Sequence, residues 1–350
     1  MHGAKKKDKK MTQRYNNSSE VYSSAQFDIA DFTEHANQLA QNIPQFTVCG
    51  LFEVQTANEA IAQAAAMPDP IYLYDVLIQE GELVVCFADT GLGKTVYCMQ
   101  AAIKIAGSGH KVLFLDLELS KKQFQKRYTG EDGTSYKLPE TLYRIGYSRL
   151  RKAPQGVDYT AFFFESLTAA IEQTCATVVF IDNLTKLAAG DTDTAKATIP
   201  ILEGLNDLKA DKGITIIAIE HNKKVDTSRP IQLNDLQGSK MKANLVDSVF
   251  TIGRSHSDKH LRYVKQVKVR DGELRYDMEN VAVYQLIKDK YLRFDHIGYG
   301  SELDHLKQQN EGDKADKMAE AQSFRDQGLS NREIARRMGV SEGAVRKWFK

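Results

Sequence analysis

Between Leu83 and Gln100 the chain reads LVVCFADTGLGKTVYCMQ. An apolar run breaks on Ala88-Asp89-Thr90-Gly91-Leu92-Gly93-Lys94-Thr95 and resumes at Val96 with helical spacing. The pattern is G-x-x-x-x-G-K-[ST] with Ala88 in the place of the first glycine. Glycines let the backbone turn tightly, so that successive N–H groups point inward at phosphate oxygens. The helix that follows offers its N-terminal dipole and unpaired N–H groups to the same anion. Lys94 is placed to reach the β- and γ-phosphates and the Thr95 hydroxyl to ligate Mg²⁺. A turn that merely needed glycines would not require Lys-Thr at this spacing. The expected ligand is a nucleoside triphosphate with Mg²⁺, held by residues 88–96.

A strand leading into a phosphate loop demands a sheet around it. Near-continuous apolar runs recur at 83–88, 111–117, 176–182 and 214–220, as suits strands buried on both faces of a parallel sheet. Helical spacing falls between them, at 94–107, 120–128, 158–174 and 194–211. This alternation predicts an α/β fold with a mainly parallel sheet. The runs at 248–254, 262–269 and 281–287 leave little room for helices and read as antiparallel edge strands. Mg²⁺ needs a second anchor at the end of a neighbouring strand, and VVFID supplies Asp182. Hydrolysis needs a group to deprotonate water. LFLDLELS offers Asp116 and Glu118, placed by strand alternation on one face, with Glu118 nearer the edge where ligands collect.

Composition excludes several classes. With 47 basic against 46 acidic side chains there is no chain-wide pull toward nucleic acid or membrane, so such a partner must meet a local patch. Cys49, Cys86, Cys98 and Cys175 are scattered without a CxxC pair, which fits a reducing cytoplasm. No apolar run reaches the roughly 18 residues needed to span a bilayer. The basic start MHGAKKKDKK has no apolar stretch behind it and reads as a tail, not a secretory signal. The expected organisation is a disordered tail over 1–25, a helical segment over 26–67 and an ATPase domain over 68–299. A linker over 300–316 and a small helical unit over 317–350 complete it.

A phosphate loop, a strand ending near a Glu, an FID strand and then IIAIEHN together resemble the RecA-like P-loop ATPases. Within them the likeness is to the hexameric helicase branch, of the RepA and DnaB types, over residues 68–295. The resemblance implies that Glu118 is the catalytic glutamate and His221 the sensor coupling the γ-phosphate to a DNA-binding loop. VKVRDGE resembles the K-x-R-x-G element, whose Lys268 and Arg270 would reach the γ-phosphate of a neighbouring subunit. Arg254 competes for that role. A homo-oligomer is implied, hexameric in the branch, although the sequence itself sets no subunit count. The family also places single-stranded DNA against two loops, here 183–195 and 221–242. The second carries Lys223, Lys224, Arg229, Lys240 and Lys242, able to track phosphates. The setting implied is replication or transfer of a plasmid, phage or mobile element.

The C-terminal stretch KMAEAQSFRDQGLSNREIARRMGVSEGAVRKWFK reads as three short helices, with Ser330 and Ser341 as N-caps and glycines at the breaks. Ile334, Met338, Val345 and Trp348 face inward in this reading. SNREIARRMGVSEGAVRKWF resembles the helix-turn-helix of resolvases, in which the last helix enters the major groove. From Arg325 onward seven basic residues face three acidic ones. Arg346 and Lys347 lie on the expected recognition helix, and Arg332, Arg336 and Arg337 would suit phosphates. A regulatory ATPase that assembles on duplex DNA without unwinding is the rival reading.

Overall fold

The structure is a computed structural model and describes residues 47–147, 154–187, 195–222, 225–236, 239–270, 272–307 and 311–349. The chain divides into two units, at Asp69/Pro70. In the first, β1 (Thr47–Cys49) and β2 (Phe52–Val54) form an antiparallel hairpin. Helix α1 (Ala57–Ala65) follows, with Thr56 and Glu59 closing a reciprocal capping box. None of the side chains of α1 is buried, and Leu51 at the hairpin turn is 97% exposed. Among its described residues, the expected helical segment 26–67 is helical at Ala57–Ala65 and a hairpin before that. Its other helical stretch, FTEHANQLAQNI, lies outside the described residues, as does the tail 1–25.

The second unit opens with a small hairpin of β3 (Tyr72–Tyr74) and β4 (Ile78–Gln79). There follow β5 (Leu83–Ala88), α2 (Lys94–Gly107), β6 (Val112–Asp116), α3 (Lys121–Arg127), β7 (Leu142–Ile145), α4 (Tyr159–Thr174), β8 (Val178–Asp182) and α5 (Ala195–Lys212). Next come β9 (Thr215–His221), α6 (Ser239–Leu245) and the strands β10 (Ser248–Arg254), β11 (Leu261–Lys268), β12 (Val281–Lys288) and β13 (Leu292–Gly300). Nine strands make one sheet in the order β13-β12-β11-β10-β5-β9-β8-β6-β7. Pairing is parallel from β10 through β7 and antiparallel from β10 outward to β13. This is the mainly parallel α/β sheet with antiparallel edge strands that the pattern predicts, and it agrees with the RecA-like P-loop architecture that the resemblance implies.

Strand alternation sorts the apolar runs onto two faces. Val84 and Cys86 join Phe114 and Phe180 on the face that carries α2. Leu83, Val85 and Phe87 join Val179 and Ile181 on the face covered by α4 and α5. Phe114 and Phe180 stack at 5.6 Å, both fully buried, and burying each is worth about 1.5–3 kcal/mol. The register aligns the strand ends that matter: Asp116 pairs with Asp182, Asp182 with Ile219 and Ala88 with His221.

Two expectations change here. Strand β6 stops at Asp116, so Glu118 lies beyond it and alternation does not place it. The segment 300–316 is also not simply a linker. Glu302 is fully buried, and it takes Lys265 Nζ at 2.5 Å and the Ile231 N–H at 2.8 Å. That fastens residues 301–306 to the sheet, and helix α7 (Glu311–Asp326) already begins within the expected linker. Helices α8 (Asn331–Met338) and α9 (Glu342–Trp348) complete the C-terminus. Ser330 and Ser341 cap them, and Ile334 and Val345 are fully buried beside partly buried Met338 and Trp348.

Candidate functional site

The site grows from the loop between β5 and α2. Ala88 needs no glycine because it is the last residue of a strand, extended and paired with His221. Gly91 and Gly93 have φ of +78° and +98°, where a side chain would be strained. At Gly93 a Cβ would also meet the Phe294 ring at 2.8 Å. The side chains of Leu92 and Val96 turn into the core, so these two residues can offer a ligand only their backbone. Helix α2 has no side-chain cap, which leaves its first N–H groups for an anion.

Four side chains from four places converge on this loop. Lys94 Nζ donates to Ala88 O at 2.7 Å and Asp89 O at 3.1 Å, and lies 3.2 Å from His221 Nδ1. Asn183 Nδ2 donates to Glu118 Oε1 at 2.5 Å and lies 3.4 Å from His221 Nε2. Lys94, His221, Asn183 and Glu118 thus stand in one line across the end of β9 and β8. Glu118 is aimed there by Asp116, whose Oδ1 accepts the Glu118 and Leu119 N–H groups at 3.1 and 2.8 Å. Asp116 Oδ2 is held in turn by Arg144 at 2.9 Å. Asp116 is therefore spent on positioning, and Glu118 is the carboxylate of the pair that faces Asn183. Ser120 still caps α3.

Asp182 sits below this line. It is buried, and its Oδ2 has no hydrogen-bond partner. Burial raises its pKa to about 6, against a lowering hydrogen bond from Thr95 and a further raising by Glu118. An orphaned carboxylate oxygen beside a threonine hydroxyl is the donor set a hard divalent cation takes. The residues therefore fit Mg²⁺, with phosphates and water completing the shell. Among the described residues no cluster of three or more His, Cys, Asp or Glu could hold a metal alone. Burial also lowers the Lys94 pKa, against the raising effect of Cys86 and Asp182. The His221 pKa is lowered by burial and then by Lys94, which favours a neutral imidazole able to change partners.

The remaining expected residues separate. Arg254 lies at the same sheet edge, lining a cavity of about 300 Å³ beside the loop with Asp89, Leu92, Asn222, Arg229 and His256. Lys268 and Arg270 lie at the opposite edge, since β11 runs antiparallel and ends beside Val249. Both are engaged within their own chain: Lys268 Nζ donates to Ala243 O and Val246 O at 2.6 and 2.5 Å, and Arg270 pairs with Asp247 at 2.7 Å. Lys242 is a correction. It is 4% exposed and paired with Glu220 at 2.9 Å, so it is not a loop cation open to phosphates. Arg229 is half-exposed and held by Asp235 through two nitrogens. Lys223 and Lys224 lie outside the described residues, as does most of the first expected DNA loop, and Lys240 falls on α6. Arg332, Arg336, Arg337, Arg346 and Lys347 are exposed on α8 and α9. The sequence expectations omit Asn183, although a polar pair closing an apolar run in FIDN is a visible signal. It also missed Phe294 and Arg144, whose roles come only from tertiary contact.

Solved structures with this fold include a DnaB-like replicative helicase studied with primase, at 18% identity and a TM-score of 0.52, covering 75% of this chain and 71% of that one. A solved ATPase domain matches at 17% identity and a TM-score of 0.53, over 70% of this chain and 100% of that domain. No curated protein matches the chain. Half of the chain, residues 52–227, matches the family described as AAA domain (AAA_25), and the chain belongs to that family.

Proposed function

We propose that the chain is an ATP-hydrolysing motor of helicase type that acts on DNA as a homo-oligomer. The observation that carries this is the line from Lys94 through His221 and Asn183 to Glu118, above a Thr95–Asp182 pair with an orphaned oxygen. Lys94 would exchange its bonds to Ala88 O and Asp89 O for β- and γ-phosphate oxygens, beside the uncapped start of α2. Thr95 and Asp182 would hold Mg²⁺, which neutralises charge developing on the phosphates. Glu118, oriented by Asp116 and Asn183, would take the proton of the attacking water. His221 touches both the lysine and the asparagine, so it can register whether Lys94 is occupied by phosphate.

Lys268 and Arg270 are assigned to the γ-phosphate of a neighbouring subunit, and distance from their own phosphate loop is what such a role requires. Arg254, at the near edge, is the alternative. Lys223 and Lys224, with Lys240 at the start of α6, are the cations left for single-stranded DNA once Lys242 is withdrawn and Arg229 is paired. The C-terminal unit from α7 to α9 is assigned to duplex DNA, as a helix-turn-helix with α9 entering the groove. The setting proposed is replication or transfer of a plasmid, phage or mobile element. The exposed arginines of α8 and α9 also favour a second reading, a regulatory ATPase that assembles on duplex without unwinding.

ATP hydrolysis by the wild type and Lys94→Ala, with no DNA, single-stranded DNA or duplex, separates these, with mass measured alongside. The expected result is single-strand stimulation in a ring-sized species, lost in Lys94→Ala by about 10²–10³-fold. Stimulation by duplex alone would favour the regulator. No hydrolysis by the wild type under any condition would sink both.

A further inference from the structure

The sensor strand and the K-x-R element lie at opposite edges of the sheet, and one short helix touches the anchors of both. Glu220 precedes His221 on β9 and is 2% exposed, on the opposite face of the sheet from the phosphate loop. Its Oε1 accepts Thr185 Oγ1 at 2.9 Å and the His221 N–H at 3.2 Å. Its Oε2 accepts Lys242 Nζ at 2.9 Å, from the middle of α6. The far end of that helix is held by Lys268, whose ammonium caps the carbonyls of Ala243 and Val246. Asp247 follows directly and pairs with Arg270. Glu220 is thus joined to the strand end, the loop after β8 and α6. Lys268 is joined to the C-terminal end of α6, and Arg270 to Asp247 just beyond it.

A buried ion pair is a poor way to gain stability. Removing two charges from water costs several kcal/mol per ion, and well-packed apolar replacements are often neutral or stabilising. What such a pair does supply is a fixed relative position for the elements that carry it. We infer that Glu220 and Lys242 are positioning residues that tie α6 to the sensor strand, so that a shift at His221 moves the helix on which Lys268 and Arg270 are parked. The inference rests on the reading that Arg270 acts in trans, and it adds that the state of one nucleotide site sets the release of the residues serving the next. The coupling element is α6 itself, seven residues long and held at its middle by Lys242 and at its C-terminal end by Lys268.

The test is a mutant cycle on the full chain, comparing wild type, Glu220→Gln/Lys242→Met, Arg270→Ala and the combination. Steady-state ATP hydrolysis and the affinity for a fluorescent ATP analogue are both measured. The paired swap is expected to leave nucleotide affinity within about twofold and to lower kcat by about tenfold, within the usual range of coupling between sites. Because both changes act through Arg270, the combined variant should be no slower than Arg270→Ala alone. Losses that multiply, or a paired swap at wild-type rate while Arg270→Ala is slow, would overturn the inference and leave the trans reading intact. A wild-type rate in Arg270→Ala would overturn both. If the buried swap costs the fold, Thr185→Val removes one bond to Glu220 and keeps the ion pair. It should then lower kcat about two- to fivefold and be equally silent on top of Arg270→Ala. Multiplying losses there count against the inference in the same way.

Discussion

The two edges of the central sheet treat charge in opposite ways. At the edge where β5, β8 and β9 end, polar groups are left unspent: Asp182 Oδ2 is buried without a partner and α2 starts without a cap. At the other edge the described charges around the start of β5 and β10 are paired, although the Ser248 hydroxyl there is buried without a partner. Asp247 accepts the Leu83 N–H at 2.8 Å and Lys209 at 2.6 Å, and it pairs with Arg270. Lys268 is absorbed by two carbonyls. Buried polar groups are ordinarily satisfied, so an edge that leaves them waiting is built for something that arrives later. The same difference recurs within one carboxylate pair, where Asp116 is fully bonded and Glu118 is aimed at a shared asparagine.

Substitutions at the two edges should therefore fail in different ways. The largest effect is expected of Glu118→Gln, which should lower kcat by about 10²–10⁴-fold, the contribution of a positioned general base. Nucleotide affinity and thermal stability should stay close to wild type, measured by analogue binding and melting. A stability loss comparable to the activity loss would mean that Glu118 belongs with Asp116 among the structural groups. Asp247→Ala is the converse. It leaves Lys209 and the Leu83 N–H without their acceptor and should cost about 3 kcal/mol in denaturant unfolding, as for breaking a buried pair. Its folded fraction should bind nucleotide normally. If Asp247→Ala unfolds at the wild-type midpoint, the contrast between the edges is wrong.

Much of the upper edge, where β5, β8 and β9 end, is legible in the sequence. The phosphate loop and Asp182 announce themselves because each ends an apolar run, and a buried parallel strand is written as such a run, whereas His221 is expected only from the family resemblance. Strand and helix limits fall within two residues of expectation from β5 to β6 and, α6 excepted, from α4 to β12. The edge strands β7 and β13 escaped because they are half-exposed and mix charge with apolar residues, LYRI and LRFDHIGYG. Lys242 escaped for a different reason. A lysine in a basic, glycine-containing loop looks solvated, and its partner Glu220 lies 22 residues away on a strand. Glu302 was hidden in the same way, in a polar segment whose partners, Lys265 and Ile231, come from other parts of the chain. Charge is legible in a sequence, and its burial becomes legible only when the fold supplies the opposite charge.

Asp182 gives the smallest effect and the sharpest sign. Its carboxyl titrates at about 6 in the folded chain, against an ordinary value of 3.8. A raised acid means that the folded state holds the proton more tightly. The ionised form therefore costs stability above about pH 6, and the cost fades as pH falls toward 4. Asp182→Asn carries no charge to bury, so without nucleotide it should be more stable than wild type at pH 8. The gain is at most about 3 kcal/mol for a shift near two units, and it should close below pH 4. With ATP and Mg²⁺ present the order should reverse, since the wild type alone has the carboxylate to hold the cation and so gains stability by binding. Melting curves at pH 4 and 8, with and without MgATP, read all four corners. A variant less stable than wild type in the absence of ligand at pH 8 would mean that Asp182 is held by contacts it does not show, and that the upper edge is as fully spent as the lower.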